Sequence, residues 1–176
     1  MDAEHPESDP SPHPQAAGEV GFPRTLARLV AGRNIEPQTL LATDYLNHFN
    51  EIIMLLEILP DMPDCLEEVR AWQPKSYAEH FRDSVFTDRD LAILAYENAP
   101  ARYREPFDQT VAEMDRLVLD AVDTIAGLIA QERKDDLAVQ VAGTVATLGR
   151  LMDRAGAIIH GDSVIVDQQQ VDSLMG

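Results

Sequence analysis

Between Pro106 and Ile159 the apolar residues fall into two runs of helical period separated by a polar break. In the first, Phe107, Val111, Met114, Val118, Ala121, Ile125 and Leu128 alternate steps of four and three, which keeps one stripe of a helix facing a neighbour. In the second, Leu137, Val141, Val145, Leu148, Met152, Ala155 and Ile159 recur every three or four positions. The QERKDD between them is the length of a turn, so the pattern predicts two helices folded back as an antiparallel hairpin. Ala142, Ala146, Gly149 and Gly156 lie near one line of the second helix. An interior helical glycine costs about 1 kcal/mol relative to alanine, so this line predicts a closely packed neighbour as compensation.

Upstream, TLLATDYLNHFNEIIMLLEIL lies between Pro37 and Pro60 and places Leu41, Tyr45, Phe49, Ile52, Leu56 and Leu59 on one face, predicting a core helix that starts soon after Pro37. Three short helices are predicted between Pro60 and Pro106: DCLEEVRAW, SYAEHF with Ser76 and Glu79 spaced as a capping box, and TDRDLAILAYENA started by Thr87. Trp72, Tyr77, Phe81 and Phe86 would form a small core of their own within this insert. A first short helix, FPRTLARLVAGRN, carries Leu26, Leu29 and Val30 and stops at Gly32 and Asn34. No strand alternation occurs. The fold class is all-α: an antiparallel helical bundle over 24–160 with a short-helix insert.

Composition adds the ends. Residues 1–23 hold prolines at 6, 10, 12, 14 and 23 and no Lys or Arg, which predicts a disordered acidic arm. Residues 161–176 read as a tether and a terminal peptide. Asp and Glu outnumber Lys and Arg 31 to 14, for a net charge of −17, so nucleic acid and anionic membrane surfaces are poor partners. No apolar run approaches the ~18 residues of a membrane span, and a single cysteine, Cys65, suits a reducing interior. The expectation is a cytoplasmic protein.

Candidate chemistry begins in the last residues. Asp167 is placed to cap a helix in which Val171, Leu174 and Met175 make an apolar stripe. A helix this short orders mainly on a partner. GDSVIVDQQQVDSLM resembles the response-regulator-binding peptide at the N-terminus of the flagellar switch protein FliM and at the C-terminus of the chemotaxis phosphatase CheZ. The positions that carry the resemblance are Asp167, Gln168, Val171, Asp172, Leu174 and Met175. It implies docking on a CheY-type receiver domain, and the terminal location favours the CheZ arrangement, a helical hairpin that dimerises into a four-helix bundle.

The CheZ catalytic motif is Asp-x-x-x-Gln, and DLAVQ supplies Asp136 and Gln140. Hydrolysis of an aspartyl phosphate needs a water held in line with the phosphorus. The receiver supplies its own Mg²⁺ and Lys, so the visiting protein needs no cofactor. By resemblance Gln140 would orient that water and Asp136 would pair with the receiver's Lys; the ordinary alternative is a solvated pair at a helix start. A second set lies in ATDYLNHFNEII, where Asp44, Asn47, His48 and Glu51 recur on one side of an otherwise apolar helix. Asp44 and Asn47 have the acid–amide spacing of the CheC and CheX receiver phosphatases, with Glu51 as a third member. His48 and Glu51 could be half of a di-iron site, but no second copy accompanies them, so no metal is expected. The competing structural role is a polar network to the insert through partners such as Arg70 or Arg82. A non-catalytic receiver adaptor and an unrelated helical scaffold are the alternatives to a phosphatase.

Overall fold

A computed structural model describes residues 22–162. They form helices α1 (Phe22–Val30), α2 (Asn47–Ile58), α3 (Leu66–Ala71), α4 (Tyr77–Asp83), α5 (Arg89–Glu97), α6 (Ala101–Ala130) and α7 (Lys134–Ile159), with no strand among the described residues. No described helix is long and apolar enough to cross a membrane.

Residues 131–133 join α6 to α7 through a turn in which Glu132 takes a φ of 55°. Away from the turn, Arg154 Nη1 of α7 lies 3.7 Å from Glu113 Oε2 of α6, so the helices run alongside each other. Phe107, Met114, Val118, Ala121 and Ile125 of α6 and Leu137, Val141 and Leu148 of α7 are buried. Val111 and Val145 are only partly buried, and the adjacent Thr110 and Thr144 take the inward places. Each threonine hydroxyl donates to a carbonyl of its own helix, Thr110 to Pro106 O (2.8 Å) and Thr144 to Gln140 O (2.9 Å), so neither is an unsatisfied polar group in the core.

Three expectations about the helices themselves are corrected. Helix α2 begins at Asn47, preceded by a 3₁₀ turn over Thr43–Leu46, and not soon after Pro37. Residues 36–41 instead close a loop in which Leu40 N donates to Glu36 O (2.7 Å) and Glu36 N to Leu41 O (2.9 Å). Leu40 adopts a φ of 60°, an unfavourable conformation for a leucine, and is buried in return. Thr39 Oγ1 donates to Ile159 O (2.6 Å), satisfying one of the carbonyls that the end of α7 leaves without a helical partner. Helix α6 starts at Ala101 and carries Pro106 inside it, giving up one backbone hydrogen bond. Third, a Cβ at Gly149 or Gly156 would meet no atom within 4 Å, so neither glycine is closely packed by a neighbour among the described residues.

The insert is not a core of its own. Tyr77 of α4 stacks on Tyr45 (5.2 Å) and on Tyr96 of α5 (4.3 Å), and Trp72 Nε1 donates to His48 O (3.0 Å). One aromatic interior therefore runs from the Thr43–Leu46 turn through α4 and α5 to Phe107 of α6. Helix α5 starts after Asp88, whose carboxylate takes Arg33 Nη1 at 2.8 Å and so ties the exit of α1 to α5.

Candidate functional site

The Ser76–Glu79 capping box is fully formed and fixes where α4 begins. From that start Tyr77, His80 and Phe81 stand at i, i+3 and i+4, one inward stripe, and His80 meets the 3₁₀ turn before α2. His80 Nε2 lies 3.0 Å from Asp44 Oδ2; a carboxylate only accepts, so the ring nitrogen is the donor. Asn47 Nδ2 donates to the other oxygen, Asp44 Oδ1 (3.2 Å), and Asn50 Nδ2 donates to Asn47 Oδ1 (3.3 Å). A ladder His80–Asp44–Asn47–Asn50 results, with Asp44 half-buried and both asparagines exposed. It borders a depression of about 420 Å³ whose walls include Asn34, Thr43, Phe86 and Met152.

Glu51 is exposed and stands outside the ladder, in a neighbouring groove with Met54 and Ile58. His48 turns inward, 6% exposed, and stacks on Trp72 (4.6 Å). Burial first, then the nearby His80 and Lys75 charges, lowers its pKa to about 4, so it is neutral at pH 7, and its Nε2 has no hydrogen-bond partner among the described residues. Among the described residues no three His, Cys, Asp or Glu side chains are placed to hold a metal ion. The expected arginine partners are replaced by His80; Arg70 faces Glu67 at 3.6 Å. His80 was legible in principle, because the capping box sets the phase of α4.

Asp136 and Gln140 are placed differently. Exposed Asp136 accepts from Arg133 Nε (2.8 Å), three residues before it. Gln140 Nε2 reaches Thr144 Oγ1, at 3.4 Å on its own helix. Met152 lines the Asp44 depression and lies twelve positions beyond Gln140, about 18 Å along α7 at 1.5 Å per residue. The two acid–amide pairs therefore belong to separate places on the surface. Asp167, Gln168, Val171, Asp172, Leu174 and Met175 lie outside the described residues, as does the arm before Phe22. No protein-family model, no curated protein and no solved structure matches this chain.

Proposed function

We propose that this chain binds a CheY-type response regulator through residues 167–175 and presents Asp44 and Asn47 to its phosphorylated aspartate, accelerating hydrolysis. The observation that supports the choice of pair is the clamping of Asp44 on both oxygens, by His80 and Asn47, beside an open depression. A carboxylate held in one orientation suits pairing with the receiver's Lys, since the ordering is complete before the partner arrives. Exposed Asn47 carries donor and acceptor on one amide, the two functions needed to hold a water for in-line attack. Water attacks phosphorus, the bond to the aspartyl oxygen breaks, and inorganic phosphate leaves. Mg²⁺ stays with the receiver. On this reading α6 and α7 correspond to the CheZ hairpin, and a second copy of the chain would complete a four-helix bundle.

The adaptor reading has one observation in its favour: the Asn47 amide already bonds Asp44 through nitrogen and Asn50 through oxygen. The phosphoryl lifetime of a CheY-type receiver separates the two. Intact chain, a truncation after Gly161, Asn47→Ala and Gln140→Ala are each added to phosphorylated receiver. Acceleration lost on truncation and with Asn47→Ala supports the proposal, whereas loss with Gln140→Ala alone moves the chemistry to α7. Binding that depends on residues 162–176 without acceleration leaves the adaptor, and neither binding nor acceleration removes the signalling reading for that receiver.

A further inference from the structure

Helix α7 ends in a Schellman motif: Asp162 N donates to Ala157 O (2.9 Å) and Gly161 N to Ile158 O (3.0 Å), with Gly161 at a φ of 83°. A Cβ on Gly161 would stand 2.9 Å from the Gln38 side chain, which itself donates to Tyr103 Oη (2.8 Å), so the chain leaves α7 at a braced point. That exit adjoins a depression walled by Asn34, Thr43, Ile159 and His160. The Asp44 depression shares Asn34 and Thr43 with it, and the groove on α2, of about 620 Å³, shares Asn47 and Asn50 with the Asp44 depression. A track of adjoining surface therefore runs from the end of α7, past Asp44 and Asn47, onto the outer face of α2. At its far end Met54, Ile58 and Met62 recur every four positions and are 66%, 43% and 55% exposed. The other exposed large apolar residues among the described ones, Leu29, Val85, Leu94, Leu119 and Val139, each lie on a separate segment.

We infer that residues 163–175 fold back along this track and seat Val171, Leu174 and Met175 on Met54 and Ile58, so that the chain itself covers the segment a receiver would bind. The reach is sufficient: Met54 lies seven positions beyond Asn47, about 10.5 Å along α2, and the nine residues 162–170 span up to about 30 Å when extended. Three apolar side chains at i, i+3 and i+4 match a line of exposed apolar residues four apart, the pattern of helix-in-groove recognition. Covalent attachment through so few residues gives an effective concentration on the order of millimolar, so a contact too weak to hold separate molecules together is populated within one. A second copy would bring a charge of −17 to this face, whereas residues 163–175 carry only Asp167 and Asp172. Those two aspartates still approach a groove bordered by Glu51 and Glu57, so salt should tighten the contact by screening the repulsion. The covering of the segment rests on the proposed receiver binding; the seating does not.

Amide exchange of Val171–Met175 tests the seating without a receiver. Exchange in the full chain is expected to be at least about threefold slower than in a synthetic peptide of residues 163–176, equally so at all protein concentrations and more so as salt rises. Met54→Ser/Ile58→Ser in the full chain should abolish that protection, as should Leu174→Ser on the segment's own side, and Leu119→Ser, a loss of exposed apolar surface on α6, should leave it. Thermal melts identify any variant that unfolds. Exchange as fast as in the peptide, protection kept by Met54→Ser/Ile58→Ser or by Leu174→Ser, protection that grows with protein concentration as a second copy would give, or protection that falls with salt would each overturn the inference. With a CheY-type receiver, the protection factor should reappear as tighter binding by Met54→Ser/Ile58→Ser, because only the uncovered fraction is competent to bind. Equal binding by that variant and wild type would overturn the covering, whereas no binding by either removes the receiver reading and leaves the seating to stand or fall on the exchange result.

Discussion

Two acid–amide pairs at helical spacing meet different fates. Asp44 and Asn47 sit where α2 begins, and the acid is gripped by a histidine 36 residues away in sequence. Asp136 and Gln140 sit where α7 begins, and among the described residues their side chains bond only to residues within four positions. Spacing in sequence sets which side chains share a face, but preorganisation comes from what another element brings to that face. Local partners of exposed groups hold a side chain weakly, since water competes and salt screens. A partner from another helix, at a half-buried position, holds it more firmly.

The largest expected effect is on chemistry. With a phosphorylated receiver, Asn47→Ala should slow accelerated hydrolysis by about a hundredfold, the scale set by losing the position of a reacting water, while Gln140→Ala leaves it within about twofold. The reverse result would exchange the roles of the two pairs. Next comes stability. His80→Ala removes the Asp44 partner and the edge contacts of the ring with Tyr45 and Phe81, at a cost of about 2 kcal/mol in urea unfolding. Arg133→Ala, which removes the Asp136 partner, should cost no more than about 0.5 kcal/mol.

A smaller effect appears in the pH dependence. The folded-state pKa of His48 is lowered to about 4, so between its ordinary 6.5 and 4 the unfolded chain takes up the proton and the folded chain does not. That group makes stability fall as pH falls through this window. Asp115 works the other way: with its pKa raised from 3.8 to about 6, the folded chain binds the proton more readily, and stability rises as pH falls through that window. The two slopes oppose each other. Asp115→Asn should therefore raise stability at pH 7 by about 1 kcal/mol, after allowing for partial solvent screening, and expose a steeper acid loss below pH 6.5. Melting temperature against pH for wild type, Asp115→Asn and His48→Phe checks this, and a flat profile in all three would show that neither group carries its burial cost into folding. More local is the effect of Thr39→Val, expected to cost about 1 kcal/mol or less by leaving Ile159 O without its donor, read as earlier amide exchange in the last turn of α7.

Where neighbours in sequence supplied the physics, the sequence was readable. The stripe Phe49, Ile52 and Leu56 of α2 is buried throughout, with Tyr45 before the helix and Leu59 after it, because a period of 3.6 lines up those positions whatever they pack on. The capping box at Ser76 forms because both halves lie within one turn. What escaped was decided across distance. Leu40 leaves helical geometry because its loop is tied at Thr39 to the end of α7, 120 residues on, and propensity has no access to that contact. Thr110 and Thr144 displace valines from the inward positions because helical rotation is set by the facing helix, and their hydroxyls can be satisfied at home.

By itself, then, the sequence determined the helical class, most of the inward stripes and the Ser76 capping box, since each depends on residues a turn or two apart. It also held the acid–amide spacings and the peptide pattern at Asp167–Met175, though not their use. Only the tertiary structure decided that Asp44 is clamped by His80 while Asp136, among the described residues, has a local partner, and that Asp108 and Asp115 line one cavity. Those outcomes depend on which elements meet, and that is settled by the packing of the whole core.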